Sequence, residues 1–192
     1  MKKYEFTGET KEIKLLFRTA VLHRIRATVS FGFVKIGDLG GWIEKEENLS
    51  HEGKAWVWGN AKVCGDAKVC GDAKVCGDAK VWGNAEVWGN AEVWGNAEVW
   101  GNAKVFSASH VLVIGAIGSR NDFTTFYRDK DNEITVKCGC FLGKIDRFLE
   151  KVTQTHGDSK YALVYRAAVE VAKLQIDLLG EAPKDADEEC KC

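Results

Sequence analysis

Through the middle of the chain, small and branched apolar residues alternate with charged or bulky ones in a six-residue phrase: Ala, Lys or Glu, Val, Trp or Cys, Gly, then Asn or Asp. The phrase occurs nine times between Ala55 and Ala108, from AWVWGN through AKVCGD and AEVWGN to AKVFSA. Period-2 alternation places Ala and Val on one side of a short strand and the charged residue with Trp or Cys on the other, and the Gly-Asx pair turns the chain. Ala61, Val63, Ala67, Val69 and their successors are therefore the expected interior. A fixed period of this kind predicts a coil whose repeats bury their apolar side only against neighbouring repeats. Three corners close a triangle, so equivalent positions recur every 18 residues and stack at roughly 4.8 Å, the parallel strand spacing. The repeat then supplies about three turns.

On that wrapping the outward positions form three columns: Trp58, Cys76, Trp94; Cys64, Trp82, Trp100; and Cys70, Trp88, Phe106. Exposed apolar columns seldom stay solvated. Trp58, Trp82, Trp88, Trp94, Trp100 and Phe106 are accordingly expected to stack within the coil or to form an interface between copies, with a trimer favoured, ahead of a platform for sugar rings or a partner protein. The other outward position gives Lys62, Lys80, Glu98; Lys68, Glu86, Lys104; and Lys74 above Glu92, so opposite charges meet between turns. Asp66, Asn84 and Asn102 should stack at one corner, and Asn60, Asp78 and Asn96 at another.

The flanks have different periods. Residues 1–54 predict a β-rich cap, because Val21 to Val29 alternates like a half-buried strand and the segment from Val34 is rich in glycine turns. After the repeat, residues 109–180 predict an α+β domain. Its expected strands are 110–119, Phe123 to Arg128 and Glu133 to Phe141. Ile145, Phe148, Leu149 and Val152 follow helical spacing up to Gly157, and a second helix starts near Asp158-Ser159 and ends at Gly180. Residues 181–192, EAPKDADEECKC, predict a disordered acidic tail. The fold class expected is thus mainly β: a short parallel β-helix of about three coils, a β-rich N-terminal cap, and a C-terminal α+β domain ending in two helices.

Composition narrows the partners. The net charge is −1 over 192 residues and Lys alternates with Glu along the coil, which disfavours nucleic acid. No 18-residue apolar run and no leader-like hydrophobic segment occur, so no membrane association and a cytoplasmic setting are expected. Seven cysteines, with three at identical repeat positions, fit reduced thiols better than a disulfide framework. Cys138 and Cys140 could join Cys190 and Cys192 on one zinc ion, but C-x-C is tighter than the usual ligand spacing, and neither metal nor other cofactor is expected.

The repeat from Ala55 to Ala108 resembles the hexapeptide-repeat left-handed β-helix, in which an aliphatic residue and a small residue four positions later fill the prism. Left-handed winding is implied by that resemblance. Many such proteins are trimeric acyltransferases and others are inert scaffolds. The blocks RIRA, VKIGDLGGWIEKEENLSHEG, VLVIGAIGSRNDFTTFYR and VKCGCFLGKIDRF are similar to those of phage and prophage repeat proteins of unassigned function, sometimes labelled polymer-forming or transferase-like. The resemblance implies a viral origin, hence a host cytoplasm, more than a reaction.

An acyltransferase would need a base for its acceptor, and His110 or His51 would serve. Neither lies on an inserted loop, because the repeat has none. The densest recognition chemistry outside the repeat is Ser119, Arg120, Asn121, Thr124, Thr125, Phe126, Tyr127 and Arg128. Here a guanidinium could fork onto phosphate or carboxylate, hydroxyls and an amide could hydrogen-bond, and aromatic rings could stack on a base. The bland alternative is a turn followed by an ordinary strand. The reading favoured is a non-enzymatic phage-type binding and assembly protein. In it the coil is a rigid oligomerisation scaffold and the C-terminal domain a recognition surface, countering host defence by sequestering a nucleotide-like signal or a host protein. Alternatives are an acyltransferase using an acyl-thioester donor, and a structural polymer.

Overall fold

The computed structural model describes residues 2–15 and 18–180, so the expectation for residues 181–192 lies outside the described residues. The chain is mainly β: a solenoid of about four turns, an antiparallel sheet domain and two C-terminal helices. It opens with β1 (Tyr4–Lys14) and β2 (Thr19–Ala27), paired antiparallel from Tyr4↔Ala27 to Lys14↔Thr19. β2 pairs antiparallel with β3 (Leu39–Ile43), and β3 pairs parallel with Lys62–Val63 of the repeat. The hairpin therefore runs directly into one wall of the solenoid.

Two-residue strands follow at Trp56–Val57 (β4), Lys62–Val63 (β5), Lys68–Val69 (β6), Lys74–Val75 (β7), Lys80–Val81 (β8), Glu86–Val87 (β9), Glu92–Val93 (β10), Glu98–Val99 (β11) and Lys104–Val105 (β12). They stack in parallel as β5-β8-β11, β4-β7-β10 and β6-β9-β12, every partner 18 residues on, as the period requires. The repeat's Ala and Val side chains from Ala55 to Val105 are fully buried and form one continuous column. Between coils Lys74 Nζ meets Glu92 at 2.7 Å, Lys80 meets Glu98 at 2.6 Å, and Lys104 pairs with Glu86. The amide of Asn84 donates to Asn102 Oδ1 at 3.3 Å.

The count of about four turns exceeds the three expected, because a coil without the repeat phrase precedes it. Ile43 pairs beside Val63 and Leu49 bridges in parallel to Val69, each 20 rather than 18 residues before its partner. Both side chains are buried, and with Tyr4 and Trp56 they fill the first end of the prism.

Corners need glycine for a steric reason visible at Gly83. Its φ is +73°, and a Cβ there would sit 3.1 Å from the backbone nitrogen of Gly101 one coil on. A left-handed non-glycine residue costs about 1–2 kcal/mol. Gly83→Ala should therefore lower the unfolding free energy by about 2 kcal/mol, read as a shift in urea midpoint; an unchanged midpoint would show that the corner relaxes freely.

The far end is closed by an antiparallel sheet of β13 (Val111–Ile117), β14 (Asp122–Arg128), β15 (Ile134–Cys138) and β16 (Phe141–Lys144). The expected strand from Glu133 to Phe141 is broken: Gly139 takes φ +55° and the chain reverses into β16. Then come α1 (Ile145–His156) and α2 (Lys160–Gln175). Gly157 ends α1, its N–H reaching Thr153 O at 2.9 Å. α2 stops five residues before the expected Gly180, because Ile176 is extended and the N–H of Asp177 is captured by Ser109 O at 3.1 Å. Of the stripe Tyr161, Tyr165, Ala168, Ala172, Ile176 and Leu179 that helical spacing in the sequence marks as apolar, the middle four are buried, whereas Tyr161 and Leu179 are exposed. No helix among the described residues is long and apolar enough to cross a membrane.

Candidate functional site

β14 joins the two halves, and its alternation explains how. Thr125 and Tyr127 face the last coil: the N–H of Glu98 donates to Thr125 Oγ1 at 3.0 Å, and the Tyr127 hydroxyl accepts from Trp100 N at 3.3 Å while donating to Trp100 O at 3.1 Å. Two side chains thus satisfy a solenoid edge that would otherwise carry open backbone groups. Burial pushes the Tyr127 phenol well above its ordinary range. Thr124 and Phe126 point the other way, Thr124 Oγ1 donating to Cys138 Sγ at 3.3 Å and Phe126 packing edge-on against Phe148.

The eight residues singled out as ligand candidates therefore divide. Thr124, Thr125, Phe126, Tyr127 and Arg128 are buried and largely structural. Arg128 gives Nε and Nη2 to Asn132 Oδ1 at 3.0 and 2.5 Å and lies 4.7 Å over the Phe106 ring. Ser119, Arg120 and Asn121 form an exposed turn, with Asn121 at φ +49°. Arg120 lies over Gly139, where an added Cβ would come within 2.9 Å of Nη1.

Where β14 and β15 meet the wall of β5, β8 and β11 they leave a groove of about 460 Å³. Lys62, Lys80 and Glu98 line its solenoid side, and Phe123, Thr125 and Lys137 its sheet side, with Asp78, Asn96 and Asp122 at the margins. Glu98 is held between Lys80 at 2.6 Å and Lys137 at 2.9 Å. Burial alone would raise its carboxyl, but the two ammonium groups outweigh that and hold it below the usual range. Lys137, itself almost buried, sits 4.7 Å from the Trp100 ring. Lys62 makes no ion pair among the described residues; its ammonium donates to Asn60 O at 2.9 Å. Burial first, then Lys11 and Lys80, lowers its pKa, with Asp78 of the same groove acting the other way. An ammonium in no ion pair among the described residues and a partly exposed phenyl ring of Phe123 thus share one cleft. Only Thr125 and Phe123's neighbourhood were legible in the sequence. Lys62, Lys80 and Lys137 looked like ladder or strand residues, and nothing short of the 18-residue stacking places them together.

Both histidines named as candidate bases are committed elsewhere. His51 stacks on Tyr4 at 4.3 Å, and its Nδ1 accepts from the N–H of Lys3 at 3.1 Å. His110 is 1% exposed, its Nδ1 accepts from Phe106 N at 3.3 Å, and Arg128 Nη1 stands 3.4 Å from Nε2. Burial first, and then Arg128, lowers its pKa to about 4. Such an imidazole is shielded from an acceptor and a weak base.

The aromatic columns are mostly absorbed within the chain. Trp82 and Trp100 stack at 4.8 Å, one strand spacing apart, and Trp88 and Phe106 meet edge-on at 5.6 Å. Trp58 is half-buried against Trp56, leaving Trp94 at 62% exposure. Buried indole N–H groups of Trp42, Trp56, Trp82, Trp88 and Trp100 have no hydrogen-bond partner among the described residues. The thiols correct one expectation: Cys64, Cys76, Cys138 and Cys140 are free, but Cys70 is disulfide-bonded. Cys140 lies in the exposed turn after Gly139 rather than beside Cys138 on a strand, and no three potential metal ligands converge among the described residues. Cys190 and Cys192 lie outside the described residues. No family model and no curated protein matches this chain.

Proposed function

We propose that the protein is a non-enzymatic binding and assembly protein of the phage type suggested by its sequence blocks. In this reading the solenoid is a rigid scaffold and the groove between it and the C-terminal sheet is the recognition surface. The observation that carries the reading is the pairing of Lys62, an ammonium in no ion pair among the described residues, with the accessible ring of Phe123 in one cleft of about 460 Å³. An anionic group bound at Lys62 and a flat heterocycle on Phe123 describe a nucleotide-like ligand, with Asp122 and Asn96 positioned for the polar edge of its base. Committed histidines count against the acyltransferase alternative. Covered solenoid ends, by Tyr4 and Trp56 at one and Tyr127 at the other, count against end-to-end polymer growth.

Self-association through the solenoid, as a trimer, is retained as part of the proposal, with Trp94 as the residue still available for it. The test is isothermal titration calorimetry of the full chain with nucleoside monophosphates and cyclic dinucleotides. Binding should be lost in Lys62→Glu and weaken about tenfold in Phe123→Ala. No heat with any of these probes, or binding indifferent to Lys62→Glu, would end this reading.

A further inference from the structure

A second groove, of about 360 Å³, lies on a different face, where the β4-β7-β10 wall meets the N-terminal turn. Its aromatic lining is Phe33, Trp56 and Trp58. Trp56 and Trp58 are perpendicular at 6.4 Å, so one ring presents a face where the other presents an edge. Phe33 sits on a tight turn closed by reciprocal bonds between Phe31 and Val34, of 3.0 and 2.8 Å, and Gly32 at φ +50° makes that turn possible. The turn holds Phe33 out at 85% exposure at the mouth of the groove, although phenylalanine gains most from burial.

The polar rim is balanced in charge. Lys54 pairs with Asp72 at 3.2 Å and Lys74 with Glu92 at 2.7 Å, and Asn90 adds a neutral amide. Both lysines here are held in ion pairs, unlike Lys62 of the first groove, so an anion would have to displace Asp72 or Glu92, and a cation one of the lysines. A hydroxyl group both donates and accepts, so it can bridge the ammonium and the carboxylate of one pair without breaking it. A ring with an apolar face and hydroxyls around its edge uses both parts of the site: the face lies on the aromatic side chains and the hydroxyls reach the rim. Trp56, 1% exposed, backs the Trp58 ring and leaves Trp58 and Phe33 as the accessible rings.

We propose that this groove is a binding site for a neutral sugar ring, stacked on Trp58 and Phe33 and hydrogen-bonded by the Lys54–Asp72 and Lys74–Glu92 pairs. The site is independent of the nucleotide-like reading, since it shares no residue with the first groove.

The experiment titrates the full chain with cellotetraose, maltotetraose and chitotetraose, each to about 10 mM, following saturation-transfer NMR and calorimetry. At least one should bind. Phe33→Ala, which removes an exposed side chain and leaves the thermal midpoint in place, should weaken it about tenfold, and Glu92→Gln should weaken it while preserving shape. Lys62→Glu should leave sugar binding unchanged, so failure of one groove is told from failure of the other. The proposal is overturned if none of the three sugars binds. It is equally overturned if binding survives Phe33→Ala undiminished, or if inorganic phosphate competes with the sugar at this groove.

Discussion

Lowering the pH from 6.5 to 4 is expected to cost the fold on the order of 3 kcal/mol through His110 alone. In the unfolded chain this imidazole takes up a proton near 6.5, whereas in the folded protein burial and the neighbouring Arg128 hold its pKa at about 4. Between those values the unfolded state binds more protons, so stability rises with pH across the window. The contribution is fully present above 6.5 and is lost progressively as pH falls toward 4. Asp177 opposes the shift but does not reverse it. His51 is also depressed by burial and adds in the same direction. Glu98 and Asp129, which are held below the usual carboxylate range, release their share only at lower pH. Urea denaturation between pH 4 and 7.5 therefore isolates the imidazoles above about pH 5. His110→Asn should flatten that slope; a variant whose slope matches the parent would place the effect elsewhere.

The solenoid was legible in the sequence because its interior is written in two residue types at one spacing. Ala and Val alternate with outward residues, and each stacks on its equivalent 18 positions away. The extra coil was not legible, because Ile43 and Leu49 carry no Gly-Asx corner and sit 20 residues from their partners. Its inward residues are larger than Val, since they must close the end of the prism against Tyr4 rather than continue it. The helices of the C-terminal part followed their periodicity. Tertiary capture of the Asp177 N–H shortened α2, and propensity cannot anticipate that. At the first groove the sequence drew attention to β14 for its polar and aromatic density. Thr125 and Tyr127 instead seal the last coil, Thr124 and Phe126 pack toward the helices, and Lys62 and Lys80, which complete the cleft, come from a ladder that looked purely structural. A side chain's neighbours across a sheet depend on register, and register through a turn as irregular as 118–121 was not fixed by the pattern.

Trp88→Ala is expected to lower the unfolding free energy by about 3–5 kcal/mol, the range for truncating a buried large aromatic. Trp88 is 4% exposed, edge-on to Phe106, with the Lys104 ammonium 5.7 Å from its ring. Removing it strips one wall of the prism of its cover and leaves Phe106, which also contacts His110 at 4.2 Å, without a partner on that side. Trp94 occupies the same place in the six-residue phrase but is 62% exposed, and Trp94→Ala should change the stability of a single chain by about 0.5 kcal/mol or less. The two substitutions remove the same side chain, so their difference measures what intramolecular stacking contributes. Denaturant midpoints supply that comparison, and analytical ultracentrifugation of the same proteins supplies the other half. Self-association that disappears in Trp94→Ala but persists in Trp88→Ala puts the interface on the open column, whereas equal losses of stability in both would mean that the outward tryptophans act as one class.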